Sequence, residues 1–492
     1  MKKLKILFAS SEVTPFAKTG GLADVSASLP AAIASLGHQV RIVMPMYRSV
    51  MEGAFKLKPL GRLLEVPLRG QLLKDKVFYL EIGHNLLIYF LKRDKFFDRR
   101  MLYGTSEGQY PDNPDRFIFF TRGILHLGKL IGFQPDVFHC NDWQTSLLPV
   151  YLKSLYKDDP FFRNSRTIFT IHNLAYQAIF PKEYMVISGL PLFLFSMKSL
   201  EYYGKMNFIK GGIVFSDIIT TVSVKYAQEI QTPKHGHGLD GFLRDRSDDI
   251  YGVLNGVDYN EWNPEIDPHI SANYNAKDLS GKKKCKEELM KIFKLKGQAE
   301  TPVIGMITRL VEQKGCDLLV DAVDELMKME LFLVLLGQGE GKYEKQFYEL
   351  GEKHKGRFGI KIAFDNMLAH KIEAGSDMFL MPSRYEPCGL NQMYSLKYGT
   401  IPIVRATGGL DDTIREFDPQ TEKGNGFKFA EYSSRALAEI VEKALAIYQN
   451  RNLWLKLMKN AMKEDFSWER SALQYEKIYY RALAKSSDSV TQ

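Results

Sequence analysis

The chain has 492 residues, 45% hydrophobic and 25% charged, which gives room for two or three domains with large cores. Its net charge of +8 is mild and dispersed, with Lys282-Lys283-Lys284 the densest run; this suits anionic ligands and excludes a nucleic-acid-binding stripe. Four separated cysteines (Cys140, Cys285, Cys316, Cys388) make no C-x-x-C pair, so neither a zinc site nor a disulfide framework is indicated, and no run of 18 apolar residues predicts a membrane span.

Free thiols fit a reducing cytosol, and a cytoplasmic protein is expected. The N-terminal apolar stretch is too short for a signal peptide and is interrupted by Glu12, so it reads as a first strand over Lys5–Ser10. A helix is expected over Leu22–Leu36, ending at Gly37, then a strand over His38–Pro45. Val77–Ile82 and Leu86–Phe90 read as a hairpin around Gly83-His84-Asn85. Asp136–Cys140, Thr167–Ile171 and Ile218–Val222 are short apolar runs of the kind found in buried parallel strands.

Near Asn255-Gly256 this pattern stops, and residues 257–281, rich in Asp, Asn, Pro and Gly, read as a connection. The spacing predicts domains over 1–255 and 256–492. The second opens with a helix over Lys282–Phe293, followed by strands at Pro302–Ile307, Leu331–Leu336, Ile360–Phe364, Met378–Met381 and Ile401–Val404, again alternating with helices. Trp454 to Leu483 reads as one helical, amphipathic, aromatic segment that packs across both halves, and Ala484–Gln492 as a disordered tail. Alternation of this kind implies parallel sheets covered by helices, with ligands at the carboxyl ends of the strands.

The chemistry-bearing motifs follow those strands. Thr19-Gly20-Gly21-Leu22 and Thr407-Gly408-Gly409-Leu410 repeat one tetrapeptide, each between an apolar run and a helical pattern. Such loops let a ligand approach the backbone, and helix starts favour an anion such as phosphate. Two unrelated turns would look the same. Arg309 and Lys314, five apart after a strand, suit a diphosphate clamp or a solvated loop. Glu386, beside Pro387 and Gly389, is placed to accept hydrogen bonds from hydroxyls, or is an exposed turn acid. Asp142 and His172-Asn173 end two further strands. Leu336-Gly337-Gln-Gly339-Glu-Gly341 departs from the dinucleotide fingerprint, because Lys342 stands where its third glycine belongs, and reads as a tight turn. His235-Gly-His237 lacks a third metal ligand and reads as a loop.

Taken together, Lys18-Thr-Gly-Gly-Leu22, Asn141-Asp142-Trp143, Thr170-Ile-His-Asn173, Leu254-Asn-Gly-Val-Asp258, Arg309 with Lys314, Arg384-Tyr-Glu-Pro-Cys-Gly-Leu390 and Thr407-Gly-Gly-Leu410 resemble bacterial glycogen synthases, the family that includes plant starch synthases. The resemblance implies an α/β glycosyltransferase B-type fold: two facing Rossmann-like, doubly wound domains, with a C-terminal helix crossing back to the N-terminal one. It implies retaining transfer of glucose from ADP-glucose to the 4-hydroxyl at the non-reducing end of an α-1,4-glucan, with no metal, cofactor, nucleic acid or membrane involved. UDP-glucose or sucrose-type transfer, and binding without turnover, are the alternatives.

By the same resemblance, Lys18, Gly20 and Gly21 contact the donor phosphates, Arg309 and Lys314 clamp the diphosphate, and Thr407, Gly408 and Gly409 complete the cradle. Phe364 stacks on the base where the family commonly has Tyr. Glu386 and the backbone of Cys388, Gly389 and Leu390 hold the transferred glucose, which His172, Asp142 and Asn255 face, while Tyr103 reaches the acceptor. Many retaining relatives carry a second Glu eight residues after the first; Tyr394 stands there, as expected of the narrower family.

Overall fold

In the computed structural model, residues 2–105 and 107–485 are described. These described residues form two compact units: those up to 222, 227–256 and from 468 onward make the first, and 223–226 and 257–467 the second.

The first unit is built on a nine-stranded sheet. Its spatial order is Ile250–Gly252, Ile218–Thr221, Arg166–Ile171, Val137–Asn141, Lys5–Ala9, Gln39–Pro45, Leu86–Leu91, Gln71–Gly83, Lys58–Leu68. The strands as far as Leu86–Leu91 are parallel, and the last two pair antiparallel. Val137–Asn141 is buried at every position, as strands covered on both faces require. Lys58–Leu68 left no clear signal because it is an edge strand, with Pro, Gly and mostly exposed positions. The first helix covers Gly21–Ser35 and is followed by Gly37 at φ +94°, where glycine is favoured.

The second unit holds a six-stranded, wholly parallel sheet in the order Phe358–Ile362, Phe332–Gly337, Val303–Ile307, Met378–Met381, Ile401–Arg405, Phe427–Phe429. The strand expected over Ile360–Phe364 lies two residues earlier, which leaves Phe364 beyond its end. Both units are therefore Rossmann-like, the arrangement of the glycosyltransferase B-type fold.

The C-terminal segment differs from the single helix expected over 454–483. It is two helices, Arg451–Met462 and Trp468–Ala484, interrupted where Val257 N–H donates to Phe466 O at 2.7 Å. The latter helix belongs to the first unit. Its Tyr479 hydroxyl meets buried His139 Nδ1 at 2.9 Å, Ser471 Oγ donates to Leu254 O at 2.7 Å, and a Cβ on Gly256 would collide with Trp468. An aromatic, amphipathic helix with those partners is held by packing, so chain order alone does not assign it to a domain. Ala484 closes this helix, whereas a disordered tail was expected from that residue; residues 486–492 of the tail lie outside the described residues. No helix among the described residues is long and apolar enough to cross a membrane.

Candidate active site

In each sheet one strand has its successor on one side and a later strand on the other. In the first unit Lys5–Ala9 lies between Gln39–Pro45 and Val137–Asn141; in the second, Val303–Ile307 lies between Phe332–Gly337 and Met378–Met381. The loops leaving such a pair of strands part to opposite sides, and the crevice between them is where α/β sheets bind ligands. Thr19–Leu22, Asp142, Arg309 with Lys314, and Glu386 follow Lys5–Ala9, Val137–Asn141, Val303–Ile307 and Met378–Met381 in turn, whereas His172, Asn255, Phe364 and Thr407–Gly409 follow other strands of the two sheets.

In the first unit, the loop after Lys5–Ala9 runs inward through Ser10, Ser11 and Glu12, all buried, before the glycines. The Glu12 carboxylate accepts from Thr19 N (2.5 Å), Thr19 Oγ1 (2.6 Å), Gly20 N (3.3 Å) and Tyr103 Oη (2.7 Å). One acid thus fixes the glycine loop and the loop of Tyr103. The sequence reading passed over Glu12; its only signal was an acid within three residues of a buried strand. Tyr103 also meets Ser11 Oγ at 2.7 Å, and burial with the nearby Glu12 charge pushes its phenol well up. Gly20 is extended (φ −158°), and a Cβ there would meet nothing within 4 Å. What this glycine spares is therefore room on the outer side of the loop. Lys18 is half-exposed and pairs with Asp24 Oδ1 at 2.7 Å.

On the adjacent loop Asp142 sits at φ +53°, and its Oδ1 accepts His172 N–H at 2.7 Å. Asp142 and His172 are thereby brought together from neighbouring strands. Burial pushes the Asp142 carboxyl up to about 7, against the downward pull of the His172 and Asn173 N–H groups. Burial also lowers the His172 imidazole to about 3, so it is neutral near pH 7. Its Nε2 then donates to Asn141 Oδ1 at 2.9 Å. Asn255 is buried one residue before the 227–256 segment of this unit ends.

The raised Asp142 carboxyl carries a sign that can be tested. The folded chain holds this proton up to about pH 7 and the unfolded chain only to about pH 4, so this group's contribution makes stability fall as pH rises through that window. Asp142→Asn is expected to shrink the drop in melting temperature between pH 5 and pH 7.5. An unchanged drop would assign the effect to other groups.

In the second unit, Lys314 Nζ meets Glu386 Oε2 at 2.5 Å, and Ser383 Oγ donates to the same oxygen at 3.2 Å. The Glu386 side chain is 7% exposed and that of Lys314 19%, so the ammonium keeps an open side and further N–H groups to offer. The Arg309 side chain is exposed. Arg405, missed from the sequence, is buried and donates through Nε to Ser383 O at 2.7 Å and also to Arg384 O, which ties down the start of the Glu386 loop.

The second glycine pair packs differently from the first. A Cβ on Gly408 (φ +46°) would stand 2.0 Å from Glu386 O, and one on Gly409 2.0 Å from Cys388 O. Gly409 N–H donates to Glu386 O and Pro387 O, both at 3.1 Å. Gly408 and Gly409 therefore pack directly on the Glu386–Leu390 loop, which a side chain at either position would not permit. Gly389 is at φ +72°, and Cys388 is buried. Gly337 and Gly339 also find a physical reason: a Cβ on either would strike the Thr308 or Leu310 carbonyl oxygen, so they bed the loop that carries Arg309. Phe364 is 79% exposed, a bare ring just past a strand end. Among the described residues no group of three or more His, Cys, Asp or Glu side chains is placed to hold a metal ion.

Comparison with known proteins gives a family match over each unit. Residues 5–245 match the starch synthase catalytic domain family and residues 288–463 the glycosyl transferases group 1 family. The chain is similar to glycogen synthase of Koribacter versatilis, at 47% identity over 97% of this chain and 98% of that one. It is also similar to glycogen synthase of Geotalea daltonii, at 48% over 98% and 99%. Among solved structures it resembles the catalytic domain of starch synthase IV from Arabidopsis thaliana bound to ADP and acarbose, with TM-score 0.90 and 35% identity, covering 98% of this chain and all of that one.

Proposed function

This chain belongs to the glycogen synthase family, and we propose on that footing that it transfers glucose from ADP-glucose to the 4-hydroxyl at the non-reducing end of an α-1,4-glucan, with retention at the anomeric carbon. It is a glycosyltransferase that elongates glycogen, and its nucleotide sugar is a substrate, not a cofactor. The observation that carries the reading is the Lys314–Glu386 pair, a cation and a hydroxyl-accepting acid held together at one crevice. ADP as the leaving group is supported by the resemblance to an ADP-bound starch synthase.

Glucose transfer builds positive charge at the anomeric carbon and negative charge on the departing diphosphate, as in other oxocarbenium-like substitutions. Arg309 and Lys314 neutralise the diphosphate, and preorganised donors of this kind act most strongly away from bulk water. The leaving phosphate takes the acceptor proton on the face it departs from. Glu386 accepts hydrogen bonds from glucose hydroxyls, with the Cys388–Leu390 backbone alongside. Phe364 stacks on the base, and a bare ring does not discriminate strongly between adenine and uracil. In the first unit, the Gly20-Gly21 loop and Lys18 serve the phosphates, the His172 main-chain carbonyl stabilises charge at the anomeric carbon, and Asp142, His172 and Asn255 face the sugar. No metal enters this scheme, and a cytoplasmic location accords with four free cysteines.

The test is transfer of radiolabelled glucose onto glycogen from ADP-glucose and from UDP-glucose, without added metal. Strong incorporation from ADP-glucose is expected. Incorporation from UDP-glucose alone would retain the mechanism and change the donor, and none from either would leave a binding protein.

A further inference from the structure

Residues 257–281 read from the sequence as a connection, yet they carry Trp262, which is buried in the second unit. Its indole lies flat between two rings from distant parts of the chain. The His370 imidazole centroid is 3.9 Å away and its plane 8° from parallel; the Tyr394 ring is 4.1 Å away and 1° from parallel. Ring pairs left to themselves settle offset or edge-on, with centroids about 4.5–7 Å apart. A closer, parallel stack of three is therefore held from outside.

Asp267, from the same segment, supplies that hold. Its Oδ2 accepts from His370 Nδ1 at 2.8 Å and from Tyr398 Oη at 2.5 Å, and its Oδ1 accepts His269 N–H at 2.8 Å. The Asp267 and His370 side chains are closed to solvent, at 0% and 1% exposure. His370 Nε2 has no hydrogen-bond partner among the described residues. A buried polar atom left unpaired costs stability, so packing alone would be served better by an apolar side chain. What the imidazole adds is a flat face whose plane Asp267 fixes.

The stack stands between two helices that both start at site residues. His370 is on Asn366–Gly375, whose cap Asp365 directly follows Phe364. Tyr394 is on Asn391–Lys397, which leaves the Glu386–Leu390 loop, and its N–H donates to Leu390 O at 3.0 Å. Ser395 Oγ also joins these helices, donating to Glu373 Oε2 at 2.6 Å, but from positions further from Phe364 and Leu390. Trp262 thus fills the side nearer the site.

We propose that Trp262 is a positioning residue: its indole is a wedge that sets the separation of these two helices, and with it the distance from Phe364 to the Glu386–Leu390 loop. The inference rests on the roles given above to Phe364 at the base and Glu386 at the glucose. Trp262 acts through the two helices and not on the substrate itself.

The experiment compares the full chain with Trp262→Leu, Trp262→Phe and Tyr394→Leu. Calorimetric titration with ADP counts folded sites and gives their affinity, and turnover with ADP-glucose and glycogen is expressed per ADP site. Trp262→Leu fills space without a flat face and is expected to lower turnover per site about 10- to 100-fold, the cost of roughly 1 Å of misplacement. ADP lacks the glucose that Glu386 holds, so its affinity should stay within about threefold. Tyr394→Leu breaks the stack from its partly exposed side, should give the same split, and keeps the test open if Trp262→Leu does not fold. Trp262→Phe keeps a flat ring and should come within about threefold of wild-type turnover. Wild-type turnover per site in both leucine variants would overturn the wedge and keep the activity. Equal losses in Trp262→Leu and Trp262→Phe, or a loss only in the number of ADP sites, would likewise reduce Trp262 to a packing residue. A wild-type chain that binds ADP but transfers no glucose would sink the proposed activity and the wedge with it.

Discussion

Lys314→Ala is expected to lower turnover about 10²- to 10³-fold, the usual loss when one preorganised charge-stabilising group is removed. The effect has two sources that separate experimentally. One is the diphosphate, which loses a cation as it leaves. The other is Glu386, buried with Lys314 at 2.5 Å; removal of one partner leaves the other charge uncompensated, which costs about 3–5 kcal/mol when burial is complete and less here, where Lys314 stays partly open. Glu386→Gln should lower turnover by a similar factor while it relieves that buried charge, so its melting temperature should stay nearer wild type than that of Lys314→Ala. Because the two side chains act as a unit, the double variant should lose much less than the product of the single losses. Steady-state kinetics and thermal melts of the three variants check this; near-normal turnover in both single variants would remove the pair from the mechanism.

Glu12→Ala is expected to lower kcat/KM for ADP-glucose by about 10²-fold or more, although Glu12 is buried behind the loop it supports. Four hydrogen bonds end on this carboxylate, two of them from backbone N–H groups of the Thr19-Gly20 turn. Hydrogen bonds to a charged group are worth about 1.5–3 kcal/mol each, and a misplaced binding loop forfeits the geometry on which transfer depends. Glu12→Gln should recover part of the loss, because its Oε1 can still accept the Thr19 and Gly20 N–H groups while its NH₂ faces the Thr19 and Tyr103 hydroxyls, which can accept. Calorimetric titration with ADP supplies the second readout, where both variants should bind more weakly. Wild-type ADP affinity and donor half-saturation in Glu12→Ala would reduce Glu12 to a packing residue.

The amino-acid sequence by itself determined the alternation of strands and helices and the position of each motif after a strand. The reason is local: a parallel strand covered on both faces must be an apolar run, and the chain must leave it through residues that tolerate a tight, polar turn. Val137–Asn141 and Met378–Met381 were legible in this way, and so were the loops of Asp142 and Glu386 that follow them. The edge strand Lys58–Leu68 was not, since an exposed ribbon needs no apolar run.

Only the tertiary structure decided which motifs meet. Lys314 and Glu386 are 72 residues apart, and they pair because Val303–Ile307 and Met378–Met381 are neighbours in the sheet. Glu12 gained its role from Tyr103, 91 residues away, and from a chain reversal that local spacing does not encode. The two Thr-Gly-Gly-Leu loops look alike in sequence, yet Gly20 faces open space and Gly408 faces the Glu386 carbonyl. Local pattern reports whether a residue is buried, whereas strand order and close backbone approach set what it is buried against, and the chemistry of this site depends on the second.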